Sequence, residues 1–122
     1  MKINRKENDM SVAIDYHVHR TSVDIAKGYR QIQKAATALS KDNEDSAVNH
    51  LGHALDDFSA AIDHAAKAVD DACNKAGNEL DKGNAELQKS IDSYNNGHPD
   101  VAQGHYDSAV KHYDKALDLI GD

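Results

Sequence analysis

The chain of 122 residues contains one cysteine, Cys73, and one proline, Pro99. A lone cysteine excludes an internal disulfide, a CxxC redox or metal site and CxxCH haem attachment. Large apolar residues are also scarce: Leu, Ile, Val and Phe together number 22 of 122, below the level of about one-fifth that accompanies disorder when net charge is high. No apolar run is long enough to cross a bilayer, so membrane insertion is not expected. The opening MKINRKENDMSVAIDY is basic at its start but lacks the following stretch of about seven or more apolar residues that a secretory signal needs. Read alone, that absence places the protein in the cytoplasm unless a leader has been trimmed. Basic residues are the minority, and the net charge of −7 argues against nucleic acid and anionic membranes and favours cations. GxGxxG, P-loop, GxSxG, HExxH, HxE with PCxxC and paired ExxH motifs are all missing, so neither an enzyme nor an organic cofactor is expected.

What is abundant is alanine, with 18 residues. Alanine has the best helix propensity and lets helices approach closely, which suits a slim helical bundle with a thin apolar seam. Four segments carry such seams. Val18, Ser22, Ile25, Tyr29, Ile32, Ala36 and Leu39 step by alternating fours and threes, and Val48, Leu51, Leu55, Phe58, Ile62, Ala65, Val69 and Ala72 repeat the rule. Between them SKDNED, residues 40–45, reads as a polar turn with capping residues. Leu80, Leu87, Ile91 and Tyr94 continue a weaker seam that Gly77 and Gly83 interrupt. After YNNGHPD, with Pro99 suited to a first helical turn, Tyr106, Val110, Tyr113, Leu117 and Ile120 form the last seam. The fold class is therefore all-α: a flexible segment over residues 1–10, then one domain over 11–122. That domain reads as an antiparallel bundle of four helices, with three, the second long and bent, as the alternative. Tyr29, Tyr94, Tyr106 and Tyr113 fall on these seams and read as core. With so thin a seam a monomer is marginally stable, and self-association into a homo-oligomer is a natural use of it.

The acidic residues are 17 Asp against four Glu, although Glu is the better helix former. Eight histidines accompany them. His98, His105 and His112 are seven residues apart and so differ by only about 20° around a helix axis. His50, Asp57, His64 and Asp71 form a second ladder of the same spacing, His53 adds a neighbour to His50 and Asp57, and His17 with Asp24 is a fainter pair. Both ladders fall at the edge of their seams. Residues seven apart rise by about 10.5 Å, too far to share one ion, so each rung must recruit ligands from another helix or chain. Imidazole with nearby carboxylate suits Cu, Ni and Zn. The ladders also echo each other: SAVNHLGHAL, residues 46–55, and SAVKHYDKAL, residues 108–117, agree at six of ten positions with an offset of 62.

GHPDVAQGHYDSAVKH, residues 97–112, fits a pattern GHxxVAxxHxxxAVxH that resembles the repeated helices of small histidine-rich bacterial metal-binding proteins, which are periplasmic helical bundles. The resemblance implies reversible binding of divalent metals, copper among them, for buffering or scavenging, with His50, His98, His105 and His112 as ligands. It also implies a periplasmic location, against the cytoplasmic one read from the missing signal. GHYDSAVKHYDKALDLI is similar to the loop and second helix of a tetratricopeptide repeat, but NNGHP breaks the first helix and an offset of 62 is no multiple of 34. The expected function is thus metal homeostasis through divalent transition-metal ions on helix edges, with His50, His53, Asp57, His64, His98, His105 and His112 as the candidate ligands. The alternative is a helical interaction or structural module without metal. A b-type haem between Met10 and His112 needs an apolar pocket that an alanine-rich seam hardly offers.

Overall fold

The computed structural model describes the backbone of residues 5–120 and the side chains of residues 16–120. Residues 1–4 of the expected flexible segment, and the Met10 side chain, lie outside these described residues. Four helices, α1 (Arg5–Ser40), α2 (Glu44–Lys67), α3 (Asp71–Asn95) and α4 (Pro99–Leu119), account for nearly all of it, with no strand among the described residues. Packing is dense between α1 and α2, between α3 and α4, and less so between α2 and α3. The molecule is an antiparallel bundle made of two helical hairpins.

The two hairpins are copies in structure. Each turn reverses through one left-handed residue, Asp42 at φ 58° and Gly97 at φ 78°. In each, the amide of the next residue donates back to a carbonyl five residues earlier, Asn43 to Ala38 at 2.9 Å and His98 to Ser93 at 2.8 Å, the closure of a Schellman motif. Asn43 then caps α2 by accepting from the Ser46 amide at 3.1 Å, and Pro99 opens α4. Every one of these equivalences is an offset of 55 residues, not the 62 read from the sequence echo. The difference is one heptad. A seven-residue slip keeps every apolar position on its face, so sequence similarity alone cannot separate the two registers.

At the centre the hairpins meet through equivalent rings. Phe58 of α2 stacks on Tyr113 of α4 with centroids 3.6 Å apart and planes 15° from parallel. Gly28 of α1 lies behind Phe58 and Gly83 of α3 behind Tyr113, also 55 apart, where an added Cβ would stand 2.5 Å from a ring carbon in each case. The order glycine, ring, ring, glycine needs both glycines, because any side chain would occupy the ring's space. Around it pack Ile25, Ile32, Leu51, Leu80, Leu87 and Ile91, with alanines filling the close approaches. Equivalent polar links flank the stack: Tyr29 to Asp114, and Asn84 to Ser59 at 3.3 Å.

Three expectations about the helices are corrected. The second seam was expected to run unbroken through Val69 and Ala72, but α2 ends at Lys67, Ala68 is extended, and Val69 is 81% exposed. Polar side chains make the break without glycine or proline. Asp70 accepts from the Cys73 amide at 2.8 Å to start α3, and Asn74 donates to the carbonyls of Ala65 at 2.8 Å and Ala68 at 3.1 Å to close α2. Conversely, α3 runs straight through Gly77 and Gly83, both buried: a Cβ at Gly83 would collide with the Tyr113 ring, and one at Gly77 would stand 3.1 Å from the Ala65 side chain. In α1, Ala36 is exposed and Ala35 buried, since the stripe follows Thr21, Ile25, Gly28, Ile32 and Ala35.

Candidate metal centre

Antiparallel packing turns the histidine ladders into cross-helix rungs. In the second hairpin His105 meets Glu86 and His112 meets Glu79, with Nδ1 to carboxylate distances of 2.8 and 2.9 Å. Facing a carboxylate, each Nδ1 carries the proton and donates. These bonds hold both glutamates below the usual carboxylate range: His112 and then Lys82 lower Glu79 against the opposing effect of burial, and His105 and then Lys89 do so for Glu86. Glu79 is only 8% exposed, so its imidazole and ammonium partners are what allow the charge to sit there.

The first hairpin carries the same rungs with different residues. His50 Nδ1 bonds the Gln31 side-chain oxygen at 2.9 Å, at the position equivalent to His105 and Glu86. One heptad on, Asp57 of α2 and Asp24 of α1 take the places of His112 and Glu79. Two carboxylates thus stand where the other hairpin has an imidazole and a carboxylate. Burial raises the Asp57 carboxyl above its ordinary value, Lys27 opposes this, and Asp24 adds to it. Asp24 is 3% exposed; its Oδ1 lies 3.6 Å from Arg20, while its Oδ2 is buried with no hydrogen-bond partner. A further heptad on, His64 and His17 close with their Nδ1 atoms 3.4 Å apart. The other side of the His64 ring faces Asp24, Nε2 to Oδ2 at 3.9 Å. Tyr16 stands edge-on to both imidazoles.

The expected ligands therefore divide. His64 faces the incompletely satisfied Asp24, while Asp57, one heptad away on α2, feels the Asp24 charge. His50, His105 and His112 are each engaged in a bond between helices. His53 and His98 are exposed, and His98 occupies the N-cap position of α4 without a side-chain cap bond. Asp71 leaves the ladder because the chain turns at residues 68–70. Among the described residues no three His, Cys, Asp or Glu side chains stand close enough to enclose a metal ion as placed. Glu79 and Glu86 are the partners that spacing along one helix did not single out, although they were legible, being seven apart like His105 and His112; His17 was legible only as a faint pair with Asp24. No protein-family profile, no curated protein and no solved structure matches the chain.

Proposed function

We propose that the protein binds a divalent transition-metal ion, Cu, Ni or Zn, reversibly between α1 and α2, with His17 and His64 as ligands and Asp24 beside them, in a buffering or sequestering role. The observation that carries this reading is the buried Asp24 oxygen that no donor satisfies. A buried, unpaired carboxylate oxygen is costly, and a nearby cation offsets that cost. Two imidazole nitrogens 3.4 Å apart match the edge of about 3.3–3.4 Å between two ligands of one tetrahedral ion with bonds of about 2.0–2.1 Å. Asp24, on the far side of the His64 ring, is placed to orient it, the usual service of a carboxylate to a metal-bound histidine. Two histidines leave the remaining positions to water or a moving carboxylate, which suits exchange and storage better than a permanent structural centre. The His105 and His112 rungs already satisfy their glutamates and serve the α3–α4 contact.

Calorimetric titration of the untagged protein with Cu(II), Ni(II) and Zn(II) tests this reading. We expect His17→Gln with His64→Gln to abolish the main binding event while helix content is kept, and His105→Gln with His112→Gln to leave it. Loss of binding only in the second pair would move the site to α4. A wild-type protein that takes up no metal and passes a Ni or Cu column would leave the interaction module as the reading.

A further inference from the structure

A groove away from the acidic cluster, where α1 ends and α2 begins, has a volume of about 580 Å³. Its floor on the α1 side is built from Arg30, Lys34 and Lys41 with Thr37 between. At 100° per residue Arg30, Lys34 and Thr37 fall within about 60° of one another and form one stripe on α1, which Lys41 extends from the turn beyond the helix. Asn43 and His50 face them from α2. No carboxylate lines the groove, although Glu44 and Asp45 are near in sequence, and none of the three cations forms an ion pair among the described residues.

Charge is divided unevenly along the chain. Residues 1–41 hold eight Lys and Arg against four Asp and Glu, whereas residues 42–122 hold six against seventeen. The tandem architecture supplies an internal control. At the equivalent place in the second hairpin Arg30 becomes Ala85, Lys41 becomes Asn96, and Lys34 becomes Lys89, which is neutralised by Glu86 at 3.3 Å. The residue matching Glu86 in the first hairpin is Gln31, which leaves Lys34 without that partner. The scaffold needs no positive charge here, since its copy does without it.

From this contrast we infer an anion-binding site in the Arg30–Lys34–Lys41 groove, for a small molecule that carries two or three phosphate groups. Its volume falls in the range of small-molecule sites, about 300–1,000 Å³. A guanidinium grips phosphate oxygens two at a time, and ammonium groups add point charges. Three exposed cations match an anion of two to four charges, and the short stripe is too small to hold a long polyanion along its length.

The experiment is titration of the full-length protein with inorganic tripolyphosphate at near-physiological salt, followed by calorimetry and by amide chemical shifts. The expected result is saturable one-to-one binding, with shifts confined to residues 30–50. Arg30→Gln with Lys34→Gln should weaken it at least about ten-fold, the size of losing one charge-assisted contact or more, at unchanged helical circular dichroism. Lys41→Gln alone, in the turn beyond α1, should weaken it too and guards against misfolding of the double variant. Lys75→Gln with Lys82→Gln, distant cations, should leave it as it was. Equal weakening by the distant pair would mean diffuse attraction and overturn the site. So would the absence of saturation at about 1 mM, a contact energy of only about 4 kcal/mol, equal binding of citrate, or preference for a single-stranded oligonucleotide.

Discussion

Asp24 and Glu79 hold equivalent places in their hairpins and differ in what faces them across the helix pair, Asp57 in one case and His112 in the other. That difference decides how each hairpin responds to acid. The folded-state values of Glu79 and Glu86 are depressed, so their contribution to stability is complete above the ordinary glutamate value of about 4.3 and is lost as pH falls through the lower folded value. Urea denaturation at pH 5 and pH 3 should therefore show a loss of stability that Glu79→Gln with Glu86→Gln makes smaller. An unchanged pH dependence in that variant would remove the rungs from the account. The Phe58–Tyr113 stack yields a sharper number. Gly28→Ala or Gly83→Ala should cost about 1–3 kcal/mol, the usual penalty of overpacking, read from the shift in denaturation midpoint. Sequence spacing placed the histidines at the seam edge but not their partners, because a partner is set by the register of a second helix. His17 shows this best. Within α1 it is merely seven residues from Asp24, and only the α1–α2 pairing brings it to His64.

Among the elements, α2 shows why a helix can end where neither glycine nor proline is present. Asp70 and Asn74 offer the backbone side-chain partners that a continuing helix would have supplied internally, and they do so at both free ends at once. Periodicity measures only the apolar stripe, so the seam reading continued through Val69, which in fact points to solvent. The two hairpin turns were legible, since SKDNED and NNGHP both carry turn and capping residues. They are unequal in quality. Asp42 takes a left-handed conformation that its counterpart Gly97 adopts without steric cost. Asp42→Gly should accordingly stabilise the protein by about 0.5–1 kcal/mol, and a lower thermal midpoint for this variant would contradict the Schellman reading.

Across the whole molecule, helical class and antiparallel order followed from alanine content and heptad seams. The 55-residue repeat did not, because a register one heptad away aligns the more similar letters. Its recognition changes how the surface is read. Each feature of one hairpin can be compared with the same place in the other, and the two differ in opposite senses at two sites. The first hairpin leaves Asp24 Oδ2 without a hydrogen-bond donor, and Arg30, Lys34 and Lys41 without an ion pair among the described residues, whereas in the second His112 bonds Glu79, Glu86 pairs with Lys89, and Ala85 and Asn96 stand in place of Arg30 and Lys41. Both proposed sites therefore fall on the first hairpin.

The contact between Phe58 and Tyr113 is made by equivalent residues of two like halves, so the surface one hairpin presents to its neighbour is also suited to a hairpin from a second molecule. Only the three-residue bend at 68–70 directs each half back onto its own chain. Asp70→Ala with Asn74→Ala, by letting α2 flow into α3 as one rod, should hold the halves apart and yield a hairpin-exchanged dimer, visible by sedimentation as a doubled mass with unchanged helix content. If that exchange occurs, the two polar caps of the bend are what hold each half on its own chain; an unchanged monomer mass in the variant would show that the bend does not depend on them.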